Sequence, residues 1–313
     1  MKVLVTGAAG FIGSHLVARL LADGHHVVGF DNLMSATEEN VCRIGRDFPN
    51  QWSWIKGDVR DFSCLNQAML GCSAIVHLAA AGSVPDSIER PDFYHDNNVT
   101  GTWNALMAAR QNGLSRFVFA SSAAVYGDRS TLPNSEDGAT YPLSPYAANK
   151  VIGEAYCSTF YRAYGLPTVI FRFFNVFGPR QNPKSQYAAA IPKFIEACRI
   201  GDPITIFGDG HQTRDFIYVG DVVDAIFLGL RCDSSHLGTC INVASGTETS
   251  VLDLANTIRR LSEVGSSIRH ADRRAGDIVH SYAVVDRLKR LGLVAHTPLE
   301  DGLRRVIGFE SIS

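Results

Sequence analysis

Long apolar runs are missing from this chain of 313 residues. No stretch approaches the roughly 18 consecutive apolar residues that a membrane-spanning helix needs, so we expect no membrane partner. The N-terminus passes from Met1 and Lys2 through a short apolar run into Gly7 without a small-residue cleavage site, which argues against a signal peptide. The sequence therefore indicates a soluble globular protein.

The chain also lacks an excess of charge of either sign and closely spaced pairs of cysteines. The chain has 29 Lys and Arg against 31 Asp and Glu, and this balance gives no electrostatic reason to expect nucleic acid as a partner. Its 7 cysteines are odd in number and contain no CxxC pair. We therefore predict reduced thiols and a cytoplasmic location, with no disulfide framework and no metal site.

Short β-branched runs alternate with helical patterns along the first half of the chain. Buried strands are predicted at 2–6, 26–30, 52–56, 74–78, 117–121 and 168–174, and an apolar stripe predicts a helix over 14–23. This alternation is typical of an α/β doubly wound parallel sheet, the Rossmann fold.

After residue 174 the pattern breaks into Gly and Pro turns with isolated helices. We expect this part to form a smaller α/β cap over the carboxyl ends of the strands, where such sheets bind ligands. The predicted Rossmann domain covers 1–175, with 216–245 returning to it, and the predicted substrate-binding cap covers 176–215 and 246–313.

The segment TGAAGFIGSHL places Gly7, Gly10 and Gly13 at the turn from the first strand into the first helix. Glycines there let the backbone approach a pyrophosphate at the helix N-terminus, although an ordinary tight turn has the same composition. Asp31 ends the second strand, where a carboxylate accepts from the adenosine ribose and repels a 2′-phosphate, which favours NAD over NADP. Asp58, after the third strand, is either an acceptor for the adenine amino group or a plain turn residue.

The segment SPYAANK predicts the start of a helix, because Ser144 suits the N-cap and Pro145 suits the first helical position. Tyr146 and Lys150 then stand at i and i+4 on one face. A lysine ammonium stabilises a phenolate, so we expect Lys150 to lower the pKa of Tyr146 toward the range of a working base. Such a pair is usually a surface feature, but downstream of a dinucleotide turn it indicates catalysis.

Further landmarks follow in order: HLAA (77–80), NNVTGT (97–102), SSAAVYG (121–127), FRFFNVFGPRQ (171–181), GDGHQTRDFIYV (208–219) and RRAGDIVHS (273–281). Together with the two motifs above they cover nearly the whole chain and are highly specific. The sequence resembles the extended short-chain dehydrogenase/reductase family and, within it, the nucleotide-sugar 4-epimerases.

The resemblance implies NAD as cofactor, a UDP-sugar as substrate and a catalytic triad of Ser122, Tyr146 and Lys150. The implied cofactor contacts are Gly7, Gly10, Phe11, Ile12, Gly13, Asp31, Asn32, Asp58, Val59, Leu78, Ala79, Ala80, Asn98, Tyr146, Lys150 and Phe173. The implied substrate contacts are Ser83, Ser122, Tyr146, Asn175, Arg214, Arg274, Asp277 and Ser281. Arginine offers a planar donor fork for diphosphate oxygens, which suits Arg214 and Arg274, with Asp277 at the ribose.

The segment FASSAAVYGD bears on the type of reaction. In the sugar dehydratases of this family the matching loop resembles Ser-Thr-Asp-Glu-Val-Tyr, and related decarboxylases carry a glutamate at the second acidic position. Here those positions are Ala123 and Ala124, which neither donate nor accept a proton, although small residues also pack well beneath a cofactor. The remaining groups predict epimerisation through a 4-keto sugar, with Tyr146 and Ser122 handling the proton of the 4-hydroxyl.

Other functions remain open at this point. A UDP-glucose or UDP-glucuronate 4-epimerase, a nucleotide-sugar dehydratase or dehydrogenase, and a non-catalytic NAD-binding protein share this fold. The predicted helices after Asn98 and Ser144 carry many apolar residues, among them Trp103 and Tyr156. The resemblance implies that these helices pair across a two-fold axis, so we predict a homodimer, with burial inside one chain as the alternative.

The position five residues beyond Gly276 bears on the sugar. In epimerases of this family it lines the sugar pocket, and a tyrosine there restricts an N-acetyl group. Here it is Ser281, which leaves room for 2-acetamido sugars unless it is a loop residue without access to the sugar. Segments 80–88 and 182–194 are similar to UDP-N-acetylglucosamine 4-epimerases, whereas Ala123 and Ala124 depart from the extra serines of that group.

Overall fold

A computed structural model of the chain describes residues 1–128, 131–181, 190–263, 265–273 and 278–310. Its strands are β1 (Lys2–Thr6), β2 (His26–Asp31), β3 (Trp52–Lys56), β4 (Ala74–His77), β5 (Arg116–Ser122), β6 (Thr168–Phe173), β7 (Asn175–Phe177), β8 (Ile204–Phe207), β9 (Thr213–Arg214), β10 (Phe216–Tyr218), β11 (Cys240–Val243), β12 (Thr249–Ser250) and β13 (Ile268–Ala271). Its α-helices are α1 (Phe11–Ala22), α2 (Glu38–Asp47), α3 (Phe62–Ala68), α4 (Val84–Glu89), α5 (Pro91–His95), α6 (Gly101–Gln111), α7 (Pro145–Tyr164), α8 (Ala190–Ile200), α9 (Val219–Gly229), α10 (Val251–Leu261), α11 (Asp286–Arg290) and α12 (Leu299–Glu310). A π-helical turn covers Asp96–Thr100, and 3-10 turns cover Ala123–Tyr126 and Ser234–His236.

Within the described residues, seven strands form a parallel sheet in the order β11-β6-β5-β4-β1-β2-β3. The predicted doubly wound sheet is confirmed, and the six predicted strands match β1 to β6 to within one residue at each end. The strand order reverses between β1 and β4, the kind of position at which such sheets bind ligands.

The register of the sheet brings the carboxyl ends of its central strands to one edge. Thr6 lies beside both Phe30 and His77 in the neighbouring strands, and His77 lies beside Phe119. The loops that leave β1, β2, β4 and β5 therefore start close together, which gathers the residues named from separate motifs.

Both faces of the sheet are covered by helices. Val3 and Val5 pack in one core with α1 and α9, whereas Leu4 packs in the opposite core with α3, α6 and α7. The apolar stripe of α1 supplies Leu16, Val17 and Leu20 to the first core, as its spacing predicts. Among the described helices, none has the length and apolar character to cross a bilayer.

A smaller apolar cluster lies in the part of the chain predicted to form the cap. Ile195 of α8, Leu254 of α10 and Leu303 of α12 pack there, near two-stranded pairings of β7 with β10, β9 with β12 and β8 with β13. The structure places α9 and β11 with the large sheet. It also places Leu288 and Leu293 in the sheet core, so this stretch of the predicted cap segment 246–313 packs with the sheet because α11 lies against β11.

Candidate active site

The turn after β1 and the start of α1 leave no room for a side chain at Gly7 or Gly13. Gly7 has a φ of +71°, and a Cβ there would lie 2.8 Å from the backbone nitrogen of Ala79. A Cβ on Gly13 would lie 2.0 Å from the carbonyl oxygen of Gly7. The helix α1 starts after Gly10, which has no side chain to cap the first amide groups. This turn therefore fits a pyrophosphate that approaches the backbone and the helix N-terminus.

Asp31 lies at the carboxyl end of β2 and faces the same turn. Its carboxylate accepts from the backbone N–H of Ala9 at 3.1 Å and of Leu33 at 2.8 Å. Burial raises the pKa of Asp31, and these backbone hydrogen bonds partly oppose that rise. The carboxylate lines the cleft, where it suits a ribose diol.

Asp58 has other partners. Its carboxylate accepts from the guanidinium of Arg60 at 2.9 and 2.7 Å and from the amide of Asn32 at 3.0 Å. Hydrogen bonding to Arg60 holds the pKa of Asp58 well below its usual range. The structure thus uses this carboxylate to join the loops after β2 and β3.

Asn98 lies in the π-helical turn and is buried. Its side chain accepts from the N–H of Ala81 at 2.8 Å and donates to the carbonyl of Ala81 at 3.0 Å. Asn97, not Asn98, lines the cleft. The amide of Asn98 therefore fixes the loop that carries Leu78 to Gly82 along the cleft wall.

A buried histidine, which the sequence analysis did not single out, holds the turn and this loop together. Thr102 donates to the carbonyl of Asn98 at 2.6 Å, so Nε2 of His77, 3.1 Å from the Thr102 hydroxyl, is the donor of that pair. Nδ1 of His77 then accepts from Thr6 at 2.8 Å, and the Thr6 oxygen accepts from the N–H of Ala79. Burial lowers the pKa of His77 to about 3, so the ring is neutral.

The helix α7 presents the predicted catalytic pair, Tyr146 and Lys150. Its N-cap Ser144 accepts from the N–H of Ala147 at 3.2 Å and Pro145 opens the first turn, as predicted. Lys150 is buried, and its Nζ donates to the carbonyl of Ala120 at 2.7 Å and lies 5.8 Å from the ring centroid of Tyr146. Ser122, at the end of β5, lines the same cleft as Tyr146 and Lys150, and its hydroxyl acts to lower the pKa of Tyr146. The structure thus brings the three predicted triad residues together.

The predicted effect of Lys150 on Tyr146 is wrong for the protein alone. Burial raises the pKa of Tyr146, and only the hydrogen bond with Ser122 opposes that rise. The reason is that the Lys150 ammonium is directed to Ala120, while its own burial lowers the pKa of Lys150 to about 8. The base form of Tyr146 needs a further positive charge beside the ring.

A buried ion pair lies one turn beyond Lys150. Arg172 on β6 donates to both carboxylate oxygens of Glu154, at 2.9 and 2.7 Å, and the hydroxyl of Ser121 also donates to Glu154. The pair joins α7 to β5 and β6 directly behind Ser122. Sequence analysis did not identify it, because the partners are on different elements.

The loop after Ser122 is a 3-10 turn whose first side chains are the methyl groups of Ala123 and Ala124. The hydroxyl oxygen of Ser122 accepts from the N–H of Ala124 at 3.2 Å. The two positions that carry carboxyl groups in the dehydratases thus supply neither an acid nor a base here.

A cleft of about 390 Å³ runs from the glycine turn to Tyr146 and Lys150. It is lined by all of the predicted cofactor residues except Asp58 and Asn98, and also by Phe30, Met34, Ser35, Gly57, Gly82, Asn97, Ala120, Ser121, Phe174 and Val176. Several of these extra residues are small or apolar groups that carry no motif of their own. The glycine turn, the Asp31 carboxylate and the reach of the cleft to Tyr146 fit a bound dinucleotide.

The other predicted substrate residues lie on several separate loops and strands. Ser83 caps α4 through the N–H of Asp86, the amide of Asn175 donates to the carbonyl of Asp215, and a guanidinium nitrogen of Arg214 donates to the carbonyl of Thr213. Ser281 is buried in the segment between His280, which contacts Thr213, and Ala283. Arg274 and Asp277 lie outside the described residues, as does most of the segment 182–194.

Comparison with known proteins agrees with this geometry. The model of the NAD dependent epimerase/dehydratase family matches residues 3–244. A UDP-glucose 4-epimerase from Mycolicibacterium smegmatis is 38% identical over 313 residues, which span 99% of this chain and 98% of that protein.

Two solved structures share the whole fold. One is a UDP-N-acetylglucosamine 4-epimerase from Methanobrevibacter ruminantium M1 in complex with UDP-N-acetylmuramic acid, with a TM-score of 0.93, 37% identity and coverage of 99% of this chain and 98% of that one. The other is a UDP-glucuronic acid 4-epimerase from Bacillus cereus in complex with UDP-glucuronic acid and NAD, with a TM-score of 0.91, 31% identity and coverage of 100% of both chains. The names of these three relatives give three different sugars.

Proposed function

Because this chain belongs to the NAD-dependent epimerase/dehydratase family, we propose that it is a UDP-sugar 4-epimerase that interconverts UDP-GlcNAc and UDP-GalNAc. The observation that carries the reaction type is that Ser122, Tyr146 and Lys150 line the end of one cleft, with Ala123 and Ala124 directly after Ser122. This set can move one proton, and it lacks the carboxyl groups that elimination of water needs at these two positions.

The family cofactor NAD would be held by the glycine turn, by Asp31 and by the small residues that line the cleft up to Phe173. When bound in its oxidised form it supplies a hydride acceptor for carbon 4 of the sugar and a positive charge. Asn98 and Asp58 support this site from behind, through Ala81 and Asn32.

The side chains of this protein handle the proton and hold the substrate. Tyr146 takes the proton of the 4-hydroxyl and returns it, and the hydroxyl of Ser122 beside it in the cleft assists this transfer. A ketone at carbon 4 has lost its configuration, so reduction from the other face inverts that carbon. Asn175, Arg214, Arg274 and Asp277 hold the UDP group while the sugar turns over. Such retention needs a diphosphate site separate from the reacting carbon.

The acetamido preference rests on Ser281. Its side chain is buried within the cap segment that runs beside Thr213 and Arg214. A serine leaves the volume of an aromatic ring free and offers a hydroxyl to an amide, so a 2-acetamido group is admitted. UDP-glucose and UDP-galactose are then poorer substrates because they leave this space unfilled.

The test is a panel of UDP-sugars incubated with the purified protein, with the products identified by NMR. Ser281→Tyr should reduce turnover of UDP-GlcNAc by at least about tenfold while sparing UDP-glucose, because the ring fills the acetamido space. Ser281→Ala is the matched control and should keep the acetylated reaction.

Two results would refute the sugar assignment. One is a Ser281→Tyr variant that epimerises UDP-GlcNAc at the wild-type rate, and the other is a wild type that accepts only glucose or uronate sugars. A 4-keto-6-deoxy product or free NADH that accumulates would refute the epimerase assignment itself.

The protein forms a homodimer through α6 and α7 and resides in the cytoplasm. Trp103 on α6 is 40% exposed and packs edge-on against Tyr156 of α7 at a centroid distance of 5.1 Å. Adjacent helices with an exposed tryptophan between them suit a partner surface of the same kind. The cytoplasmic location rests on the unpaired cysteine pattern of the sequence.

A further inference from the structure

A carboxylate that plays no part in the chemistry above lies at the centre of the cap side. Asp215 separates β9 from β10 and is fully buried. Both of its carboxylate oxygens are used. One accepts from the N–H of Ser245 at 2.8 Å and from its hydroxyl at 2.7 Å, and the other accepts from the N–H of Gly246 at 2.9 Å and of Ala283 at 3.3 Å.

The backbone of Asp215 makes a second set of contacts. Its carbonyl accepts from the backbone N–H of Asn175 at 3.0 Å and from the side-chain amide of Asn175 at 3.1 Å. The residues on either side of it pair with different strands, since Arg214 lies opposite Thr249 and Phe216 lies beside Asn175. Four chain segments therefore meet at this one residue.

These segments carry the predicted substrate residues. Arg214 precedes Asp215, Asn175 is held by its carbonyl, and Ser281 lies two residues before Ala283, which its carboxylate holds. Ala283 also packs with Val125 of the turn that follows Ser122. A shift of Asp215 would move the diphosphate side of the site relative to the catalytic side.

We propose that Asp215 is a positioning residue for the nucleoside diphosphate, which sets the spacing of Arg214, Asn175 and the Ser281 segment. The inference rests on the proposed function, because it takes these residues to bind the UDP group. The donors to the carboxylate are neutral N–H and O–H groups, and an ionised acceptor makes stronger hydrogen bonds with such donors than a neutral one does. Burial raises the pKa of Asp215, and the four hydrogen bonds to its carboxylate oppose that rise.

The test is binding of UDP alone, measured by titration calorimetry on the NAD-loaded protein. Asp215→Asn places an N–H₂ group against backbone N–H donors, so UDP should bind at least about tenfold more weakly, which corresponds to the loss of one charged hydrogen bond. With UDP-sugar, KM should rise by a similar factor while kcat stays within about threefold. Bound NAD per chain should equal that of the wild type.

Asp221→Asn is the matched control. Asp221 is also a buried carboxylate and also accepts from a backbone N–H and a hydroxyl, both of Thr297, on the α9 side of the molecule. This variant should lose stability without a change in UDP affinity. If Asp215→Asn does not fold, Ser245→Ala removes the hydroxyl that donates to Asp215 and accepts from the N–H of Thr247, and it should weaken UDP binding about threefold or more.

Unchanged UDP affinity in Asp215→Asn or Ser245→Ala would overturn the positioning role while leaving the proposed function intact. Equal losses of UDP affinity in the Asp215 and Asp221 variants, or a parallel loss of NAD, would assign Asp215 a general structural role and overturn it too. A wild-type protein that binds neither UDP nor a UDP-sugar would instead refute the proposed function, and the role of Asp215 with it.

Discussion

Tyr146 is the residue on which the proposed reaction depends most directly. Tyr146→Phe removes the phenol hydroxyl from the cleft and leaves the ring in place. We expect kcat to fall by a factor of about 10² to 10⁴, the usual contribution of a positioned acid or base. UDP binding should stay within about twofold, since the diphosphate residues lie elsewhere. Turnover is measured by NMR and UDP binding by calorimetry; turnover near the wild-type rate would contradict the role.

His77 links protonation to stability at the cofactor turn. Its pKa is about 3 in the folded protein and about 6.5 in an unfolded chain, so the unfolded state binds more protons between these values. Stability is therefore fully present above pH 6.5 and is lost as the pH falls below it. From pH 7 to pH 5 the free energy of unfolding should drop by about 2 kcal/mol through this residue.

The variant His77→Gln separates this effect from other titrations. It keeps a donor and an acceptor for Thr6 and Thr102 but does not titrate. Urea denaturation at pH 7 and pH 5 should show a smaller stability loss in the variant than in the wild type. An identical pH dependence of the two proteins would show that folding does not lower the pKa of His77.

Among the elements, α7 and β6 are joined by the buried pair of Glu154 and Arg172. Arg172→Met should cost about 3 to 5 kcal/mol of unfolding free energy, because it leaves the Glu154 carboxylate buried without its cation. Adding Glu154→Leu should recover most of that loss, since an apolar pair of similar size has no charge to desolvate. Denaturant unfolding of the two single variants and the double variant measures the coupling.

Arg260→Met is the control for Arg172→Met, because it removes the cation of an exposed ion pair instead of a buried one. Arg260 pairs with Glu300 at 2.8 Å, but both side chains are largely exposed, so little stability should be lost. Equal effects of the Arg172 and Arg260 substitutions would show that burial does not govern the strength of the inner pair.

Most strands of the large sheet were predictable because they are largely apolar runs buried on both faces, such as β1 and β6. In contrast, β3 combines half-buried and exposed residues, and β11 was not among the predicted strands. The strands of the cap were not predictable, since β9 and β12 have two residues each and carry no periodicity. Their pairing depends on contacts with distant segments, as the hydrogen bonds of Asp215 illustrate. Local sequence does not encode such partners.

The candidate site also combines features that local sequence encodes with features that depend on the whole fold. The glycine turn and the Tyr146–Lys150 pair are local patterns, so their elements and their convergence could be predicted. The side-chain direction of Asn98 could not, because the π-helical turn Asp96–Thr100 adds one residue to the helical turn and changes which residue faces the cleft. The direction of the pKa shift of Tyr146 was predicted wrongly because it depends on burial, which only the assembled fold determines.

The whole molecule is expected to be a dimer in which α6 and α7 are buried. Trp103→Asp should convert it to a monomer, because a buried charge without a partner is costly at such an interface. Light scattering at concentrations of about ten micromolar measures the mass. Val294→Asp is the control, since Val294 is 64% exposed and lies beyond α11, and this variant should remain dimeric. A monomeric wild type would contradict the assembly.

The core around the large sheet draws on both ends of the chain, from Val3 in β1 to Leu293 after α11. A gene fragment that ends at residue 175 therefore encodes an unfinished unit, in which β6 becomes an open sheet edge without β11 and the apolar face of α1 loses α9. A chimera that takes the whole cofactor-binding sheet from a relative must therefore include several separate segments of that relative, because residues 1–175 alone do not complete the sheet. A premature stop codon as late as the α11 region removes Leu288 and Leu293 from the core of the large sheet.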